Sequence, residues 1–469
     1  MRARRVLITT SFAIIGCADR GTNSGGQRTN SASATAIGAS SAQVLQDPES
    51  AFVPGEIIVK FRPDTFTPAA VPAELQLQNT GRRTSAGEVI LRVNLDSNAV
   101  GVARVRSRTM EVLSALRGQP NVAYAQLNFI FRHQALIGAN TYFKTQWNLW
   151  SHGPNAGQSL GGMSATDAWA AGGANTRGVN VSVLDTGILE NHEVFANSGN
   201  LFPGYDFITD PALGKDHDGR DPNPRDEGDG CTGRSPDIWH GTHVTGTLVA
   251  TPGSRTDFSG VVHYARVQML RVLSCEGVTS DIIDAIRWAV GLPVAELTND
   301  HPARILNLSL GAPQPCSEAP ALQAAINTAV DRGAIVIVAA GNASRELSRF
   351  QPAGCLNVIA VTAANSRGVL ATYSNFGNGA TVLGPGGDTR GNSGDPNEGI
   401  LGPVKDGYAR YSGTSMAAPH VTGVVAMWLA RHTTWTRESV LVELKRTSVR
   451  RSRTECPKLC GFGLLSAHP

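Results

Sequence analysis

An aspartate, a histidine and a serine occur in that order along the chain, each where the sequence predicts that a regular element ends or begins. Asp185 ends an apolar run, His240 opens a helical segment, and Ser415 precedes a helix of small and apolar residues. A serine hydroxyl becomes a nucleophile when a histidine removes its proton, and an aspartate can hold that histidine in position. If the fold brings the three residues together, they can carry out acyl transfer.

Each of these residues has an ordinary alternative when it is considered alone. A serine before a helix commonly serves as its N-cap, and an aspartate at the end of a strand commonly caps a turn or a helix. His240 and His243 lie close enough along a helix to suggest two metal ligands. The third ligand and the glutamate of a zinc-protease helix are missing, which argues against a metal there.

The surrounding segments predict a parallel sheet with buried helices. The runs 181–188, 304–311 and 334–342 are mainly apolar, as buried parallel strands are. Ligands collect at the carboxyl ends of such strands. Asn342 ends the third run, where its side chain can donate an N–H to a developing oxyanion. Apolar residues on every face of segment 421–429 predict a helix inside the core.

Five motifs carry a resemblance to a known family. They are VSVLDTGI at 181–188, HGTHVTGT at 240–247, ILNLSLG at 305–311, VAAGN at 338–342 and YSGTSMAAPHVTG at 411–423. From Gly178 to its end the chain resembles the subtilisin-like serine proteases (subtilases), and within them the disulfide-bearing, exported bacterial branch. The Asp, His, Ser order, and Ala417 where a nucleophile elbow needs glycine, argue against an α/β-hydrolase.

The resemblance implies a role for each residue at a matching position. Ser415 is expected to be the nucleophile, His240 the general base, and Asp185 the group that orients the imidazole. Asn342 and the backbone N–H of Ser415 are expected to form the oxyanion hole.

The resemblance also implies how substrate binds and which fold surrounds it. Ser309, Leu310 and Gly311 are expected to bind substrate as an extended peptide along a strand edge. The expected fold class is α/β, a three-layer subtilisin-like fold with a mostly parallel central sheet. A small α+β propeptide domain is expected to precede it.

Residues 1–50 predict export rather than a folded domain. Residues 1–17 combine a basic start with an apolar stretch too short to span a bilayer, which is typical of a signal peptide. The stretch ends at Cys17 in a sequence that resembles a bacterial lipobox, whose cysteine becomes lipidated. An ordinary signal peptide cut in this region is the alternative. Residues 18–50 are rich in small polar residues and predict a flexible linker.

Residues 51–135 predict a small domain ahead of the main one. A strand, an amphipathic helix and a second strand are predicted at 52–61, 102–117 and 120–126. This domain resembles the subtilase propeptide, which assists folding, inhibits the active site and is cut off by the enzyme itself. The resemblance places the cut between Asn128 and Gln146 and the peptidase domain at 140–469.

The seven cysteines agree with export. Apart from Cys17 they form an even set, which suggests disulfides whose pairing the spacing alone does not determine. The resemblance to the disulfide-bearing branch implies the pairs Cys231–Cys275, Cys316–Cys355 and Cys456–Cys460.

An acidic loop lies between the Asp185 and His240 motifs. Residues 216–229 include six carboxylates among fourteen residues. Crowded carboxylates repel one another unless they are solvated or bind a hard cation such as calcium. The spacing is not that of an EF-hand, and a solvated acidic loop is the alternative. Because the branch that the chain resembles has a calcium loop here, we expect structural calcium, held by Asp218, Asp221, Asp226 and Asp229.

The composition is that of a folded protein with a nearly neutral surface. Hydrophobic residues make up 41% of the 469 residues, charged residues 17%, and the net charge is +3. Nothing in this balance suggests a nucleic-acid partner. We expect a monomer that acts on polypeptide substrates, with its own propeptide as an intramolecular inhibitor.

Together these features imply a secreted serine endopeptidase made as a self-processing zymogen. One alternative is a processing protease held at the cell surface by a lipid on Cys17, which release of propeptide-free enzyme into the medium would contradict. The other is a non-catalytic scaffold bound to its propeptide, which the complete Asp, His, Ser and Asn set argues against.

Overall fold

The computed structural model describes residues 52–62, 75–83, 89–94, 102–129, 142–196, 198–230, 237–252, 257–389 and 395–468. The chain divides into two compact units, Met1–Arg132 and His133–Pro469. The predicted signal peptide at 1–17 and the predicted linker at 18–50 lie outside the described residues, and so do Cys17 and Cys231.

The first unit is an antiparallel sheet covered by a helix. Its elements are β1 (Phe52–Phe61), β2 (Leu77–Arg83), β3 (Val89–Val93), α1 (Val102–Arg117) and β4 (Val122–Phe129). The strand order is β2-β3-β1-β4, and each registered pair is antiparallel. Val112, Leu113 and Leu116 of α1 share one hydrophobic core with Ile57 and Leu127 of the sheet.

The sequence patterns predict β1, α1 and β4 of this unit but not β2 and β3. Strand β2 reads LQNTGRR, which has no alternation of apolar and polar residues. It becomes a strand because it pairs with β3, whose Leu91 and Val93 enter the core. A strand that depends on its partner in this way is invisible in a window of sequence.

The second unit is built on a parallel sheet. Two short strands, β5 (Ser151–His152) and β6 (Gln158–Ser159), come first along the chain. The sheet strands are β7 (Asn175–Asp185), β8 (Leu201–Asp206), β9 (Tyr264–Arg271), β10 (Ile305–Leu308), β11 (Ile335–Ala339), β12 (Val358–Ala364) and β13 (Ala380–Pro385). Their order is β13-β12-β11-β10-β7-β9-β8, and every registered pairing is parallel. A hairpin of β14 (Ile400–Val404) and β15 (Gly407–Tyr411) follows.

Alternate residues of the central strands serve two separate cores. In β11, Ile335 and Ile337 belong to one core, whereas Val336 and Val338 belong to the other. Successive side chains of a strand point to opposite faces, so both faces of the sheet are covered. This explains why the sequence of β11 is continuously apolar.

Helices cover both faces of this sheet. They are α2 (Ala165–Ala170), α3 (Pro211–Gly214), α4 (His240–Leu248), α5 (Thr279–Ala289), α6 (Pro320–Asp331), α7 (Thr414–Arg431) and α8 (Arg437–Thr447). Short 3-10 turns occur at Phe143–Thr145, Trp147–Leu149, Cys316–Glu318, Leu347–Arg349 and Pro396–Glu398. Residues of α2, α4, α7 and α8 join the core on one face, and those of α5 and α6 the core on the other. The predicted three-layer α/β fold is confirmed.

Helix α7 lies in the interior of the second unit. The residues from Met416 to Leu429 are buried, as the apolar pattern predicts. A side chain at Gly423 would bring a Cβ to 2.4 Å from Val261, so glycine lets the helix approach its neighbour closely. Among the described residues, none of the helices combines the length and apolar character needed to cross a membrane.

Two of the predicted disulfides are present. Cys316 is bonded to Cys355, 39 residues away, and Cys456 to Cys460, 4 residues away. Both pairs are confirmed. Because Cys231 lies outside the described residues, its pairing with Cys275 stays a prediction.

Replacing both Cys316 and Cys355 by serine should destabilise the protein more than replacing both Cys456 and Cys460. A disulfide restricts the unfolded chain, and the gain grows with the length of the closed loop. The expected losses are about 4 kcal/mol for the separation of 39 residues and about 2 kcal/mol for that of 4. Denaturant unfolding followed by circular dichroism measures both double variants, and equal losses would contradict the dependence on loop length.

Candidate active site

The carboxyl ends of the central strands bring the predicted chemical groups to one edge of the sheet. Asp185 is the last residue of β7, which lies between β9 and β10. Strand β10 ends just before Ser309, and β11 ends shortly before Asn342. His240 opens α4, and Ser415 follows the first residue of α7. Ser415 therefore lies inside the first helical turn, whereas its sequence pattern predicts a position ahead of the helix.

Asp185 and His240 form the central pair of the site. Nδ1 of His240 is 2.7 Å from Oδ1 of Asp185, and the same oxygen accepts the backbone N–H of Thr186 at 2.8 Å. The Asp185 side chain is fully buried, and that of His240 is 17% exposed. Because a carboxylate only accepts hydrogen bonds, Nδ1 carries the ring proton and Nε2 is the nitrogen that can act as a base.

Burial and the Asp185 carboxylate act in opposite directions on the pKa of His240. Burial lowers this pKa, but Asp185 raises it through its charge and its hydrogen bond, and the charges of Asp229 and Asp226 act in the same direction as Asp185. The net effect raises the pKa of His240 above its usual 6.5. The surroundings therefore stabilise the imidazolium that forms when Nε2 takes a proton.

A chain of hydrogen bonds holds Ser415 against the end of β10. The Ser415 hydroxyl donates to the carbonyl of Ser309 at 3.1 Å, and the Ser309 hydroxyl donates to the carbonyl of Ser415 at 2.9 Å. The Ser309 hydroxyl also accepts from the Asn307 amide at 3.0 Å, and the Asn307 oxygen accepts from Thr422 of α7 at 2.9 Å. The Ser415 hydroxyl therefore donates its hydrogen bond to the Ser309 carbonyl rather than to Nε2 of His240. In serine hydrolases the hydrogen bond from the serine to its base often tightens only when substrate binds.

The amide of Asn342 is held at its oxygen, which leaves its nitrogen for other partners. Oδ1 accepts from the backbone N–H of Thr414 at 2.9 Å and from the Thr414 hydroxyl at 2.8 Å. The Thr414 hydroxyl also accepts the N–H of Gly341 at 3.0 Å. Thr414 therefore orients Asn342 beside Ser415. Sequence reasoning missed this role, because the partner of Thr414 is brought in from a distant strand.

Three cavities are lined by His240, by Ser415 or by both. One of about 430 Å³ is lined by His240, Asn342 and Ser415. A second of about 260 Å³ is lined by Asn342, Ser415 and the segment 309–311. A third of about 840 Å³ is lined by His240 and the same segment. The segment predicted to bind substrate thus lines two cavities, one of which also has Ser415 in its wall and the other His240.

The structure does not bring the four predicted calcium ligands together. Asp226 accepts a threonine hydroxyl at 2.8 Å and a backbone N–H at 2.9 Å. Asp229 accepts two backbone N–H groups, at 2.6 and 2.7 Å, while Asp218 is exposed and Asp221 bonds a nearby backbone N–H. In the part of the chain that is described, no three Asp, Glu, His or Cys side chains form a group that could hold a metal ion. Asp226 and Asp229 thus bind donors of the protein in this arrangement, and calcium binding by the four aspartates stays a prediction.

Basic side chains neutralise part of the acidic loop. The buried Arg271 of β9 forms ion pairs with Asp206 and Asp216. Nζ of Lys215 donates to two backbone carbonyls of segment 228–230, at 2.7 and 2.6 Å. These contacts tie both ends of the loop to the protein. Arg271 pairs with two of the aspartates but lies far from residues 216–229 in the sequence. Counting charges within that stretch therefore does not reveal it.

A buried histidine ties α7 to the segment that begins the second unit. Nδ1 of His420 donates to the Met416 carbonyl at 2.7 Å, and Nε2 accepts from the Asn148 amide at 2.8 Å. His420 is fully buried, and burial lowers its pKa to about 4. The neighbouring Gln146 bonds both the N–H and the carbonyl of Ser259. Neither contact was predicted.

Comparison with known families decides the identity of this arrangement. The family model described as the subtilase family matches residues 176–463, which hold all five motifs. The chain belongs to the subtilase family. A second model, the fervidolysin N-terminal prodomain, matches residues 38–128. The subtilase domain is therefore preceded by a prodomain of that kind.

Curated relatives of this subtilase carry protease names. The chain is 37% identical to an extracellular protease of Xanthomonas campestris pv. campestris over 83% of its own length and 64% of the relative's. It is 35% identical to an extracellular basic protease of Dichelobacter nodosus over 67% of its length and 52% of the relative's. The chain thus spans less than two thirds of the length of these two relatives.

A solved structure shows the same fold. The subtilase matches a structure titled as proteases from Pseudoalteromonas arctica PAMC 21717 with a TM-score of 0.61 and 35% identity. The match covers 70% of this chain and 97% of the other. The subtilisin-like fold predicted from the motifs is confirmed.

Protonation of His420 should make the stability of this subtilase fall as the pH drops below about 6.5. Folding lowers the pKa of His420 from 6.5 to about 4. The stabilisation by neutral His420 is therefore complete above pH 6.5, the pKa in the unfolded state, and is lost as the pH falls toward the pKa in the folded state. The loss due to His420 should reach about 2 to 3 kcal/mol at pH 4.5. Denaturant unfolding at pH 7 and pH 4.5 measures it.

The variant His420→Gln should lose less stability between these pH values than the wild type does. His301→Gln changes a partly exposed histidine and serves as the matched control, whose stability should depend on pH as that of the wild type does. An identical pH dependence for His420→Gln and the wild type would contradict the assignment.

Proposed function

We propose that this subtilase is a secreted serine endopeptidase that hydrolyses peptide bonds through Asp185, His240 and Ser415. The observation that carries the proposal is the 2.7 Å contact between His240 Nδ1 and the buried Asp185, in a cleft whose wall includes Ser415 and Asn342. A base with a fixed tautomer beside a serine hydroxyl is what acyl transfer needs. The protease names of the curated relatives support the same class of reaction.

In the proposed reaction Ser415 Oγ attacks the carbonyl carbon of the scissile peptide bond. His240 Nε2 takes the hydroxyl proton, and Asp185 stabilises the resulting imidazolium. The carbonyl oxygen becomes an oxyanion, which the Asn342 amide and the Ser415 N–H stabilise. Loss of such a donor costs about 100- to 1,000-fold in turnover. The C–N bond breaks as His240 protonates the leaving amine, which leaves an acyl-enzyme. Water then attacks the acyl carbon with His240 as the base, and the ester bond to Ser415 breaks.

The proposed substrate is an extended polypeptide. The segment 309–311 leaves strand β10 beside Ser415, so a peptide can add to its edge through backbone hydrogen bonds. The cavities of about 260 and 840 Å³ that this segment lines offer space for substrate side chains. We further propose that the enzyme acts as a monomer and has no nucleic-acid partner, in line with its net charge of +3.

The prodomain supports a proposal of zymogen maturation. Residues 38–128 match a prodomain model, and a prodomain of this kind can inhibit the enzyme and be cut off by it. We place the cut in the segment 128–146. A signal peptide at 1–17 and the extracellular names of the relatives support secretion. If Cys17 is lipidated, the anchor leaves with the prodomain when the cut occurs.

Replacing Ser415 by alanine should abolish peptide hydrolysis and leave the precursor uncut. The variant has no nucleophile, so kcat should fall by roughly a million-fold, the loss known for the corresponding change in subtilisin. Hydrolysis of a peptide substrate and the mass of the purified chain measure the two effects. Ser452→Ala, which removes an exposed hydroxyl bonded to Thr454, is the matched control. A Ser415→Ala chain that cleaves peptides normally would refute the proposal.

Calcium binding by the acidic loop stays a proposal, supported by the carboxylate content of residues 216–229. Bound calcium would offset the repulsion between carboxylates and so stabilise the folded state. EDTA should therefore lower the melting temperature of the inhibited enzyme, and added calcium should restore it. A melting curve that EDTA leaves unchanged would remove calcium from the description of this protein.

A further inference from the structure

Two buried carboxylates behind the reacting groups have no part in the proposed reaction. Asp226 is 2% exposed and Asp229 is 8% exposed. Burying a carboxylate is costly unless donors compensate its charge. The groups that donate hydrogen bonds to these two carboxylates therefore indicate their role. Three of these donors belong to Thr186, Ile238 and His240, which lie in or next to the residues that hold the catalytic base.

Asp229 accepts backbone N–H groups on both sides of a strained residue. One of its oxygens accepts the N–H of Ile238 at 2.6 Å, and the other accepts the N–H of His240 at 2.7 Å. Between them lies Trp239, the N-cap of α4, whose φ of 56° and ψ of 48° place it in the left-handed region. This conformation is unfavourable for a residue with a side chain. The N–H groups of Ile238 and His240 converge on one anion in this way, and the Asp229 carboxylate is that anion.

Thr186, which follows the last residue of β7, is hydrogen-bonded to Gly241, the second residue of α4. Its hydroxyl donates to Asp226 at 2.8 Å and accepts the N–H of Gly241 at 2.9 Å. Its backbone N–H donates to Asp185, which also accepts from His240. The two elements lie so close that a Cβ at Gly241 would be 2.2 Å from the carbonyl oxygen of Gly187. The consecutive N–H groups of residues 240 and 241 are thus both held by side chains of the surrounding structure.

We propose that Asp229 and Thr186, the latter backed by Asp226, are positioning residues that set the imidazole of His240 for proton transfer with Ser415. This inference rests on the proposed function. Asp229 fixes the backbone from which the imidazole projects, and Thr186 fixes the distance between α4 and Asp185. The acidic loop therefore acts on the base through hydrogen bonds to backbone N–H groups, a role different from that of a calcium ligand. A base displaced by about 1 Å can lose about 100-fold in rate.

The variant Asp229→Asn tests the carboxylate. An amide has one oxygen and one NH₂ group, so it can accept only one of the two N–H bonds and opposes the other. We expect kcat per active site to fall about 10- to 100-fold. KM should stay within about threefold, because the segment 309–311 is untouched. The proton NMR signal of His240 Nδ1–H should shift or broaden, which a general loss of stability does not produce in a folded sample.

A matched control and a second pair of variants complete the test. Asp210→Asn makes the same change in a carboxylate that accepts a backbone N–H at 2.9 Å at the start of α3, and kcat should stay within about twofold of the wild type. Thr186→Val keeps the shape but removes the hydroxyl, so kcat should fall, whereas Thr186→Ser keeps the hydroxyl and should restore it. If Asp229→Asn does not fold, the Thr186 pair decides.

The outcomes separate this inference from the proposed function. If Asp229→Asn retains kcat and the Nδ1–H signal while Ser415→Ala is inactive, the positioning role is overturned and the proposed function stands. Equal kcat values for Thr186→Val and Thr186→Ser would overturn the role of the hydroxyl. If Ser415→Ala remains active, the proposed function fails whatever Asp229→Asn does.

Discussion

The buried hydrogen bond between Asp185 and His240 is the interaction on which the rest of the site depends. Asp185 is fully buried at the end of β7, where an ionised carboxylate is costly to hold. Its Oδ1 is compensated by His240 and by the N–H of Thr186, and its Oδ2 has no hydrogen-bond partner among the described residues. The negative charge of Asp185 therefore lies in a buried position, where a protonated His240 compensates it.

The parallel sheet and α7 give this interaction a rigid frame. Strands that end at one edge deliver Asp185, Ser309 and Asn342 without long connecting loops. Helix α7 is buried along most of its length, and a continuous network from Thr422 through Asn307 to Ser309 and Ser415 ties it to β10. A buried network whose members are satisfied holds one arrangement of its side chains. The position of Ser415 is thus set by the core.

The acidic loop shows how charge in a local sequence differs from charge in a fold. Residues 216–229 alone suggest a loop that needs a cation. In the structure Arg271 and Lys215 supply positive charge, and Asp229 accepts the N–H groups of Ile238 and of His240, the first residue of α4. Anions are stable at a helix N-terminus because of its unpaired N–H groups. Three of the four aspartates predicted to bind calcium, Asp221, Asp226 and Asp229, therefore accept backbone N–H groups.

Local sequence patterns are enough to predict the family, the order of Asp185, His240 and Ser415, the continuously apolar strand β11 and the buried helix α7, because strand period, helix burial and motif spacing are properties of short segments. The two disulfide pairs do not follow from such patterns and were predicted only through the resemblance to the family. Four features became visible only in the folded chain: Thr414 orients Asn342, Asp229 holds the backbone of His240, His420 meets Asn148, and β2 is a strand. Each of these depends on a partner far away in the sequence, and hydrogen bonds between distant segments leave no period or spacing in either one.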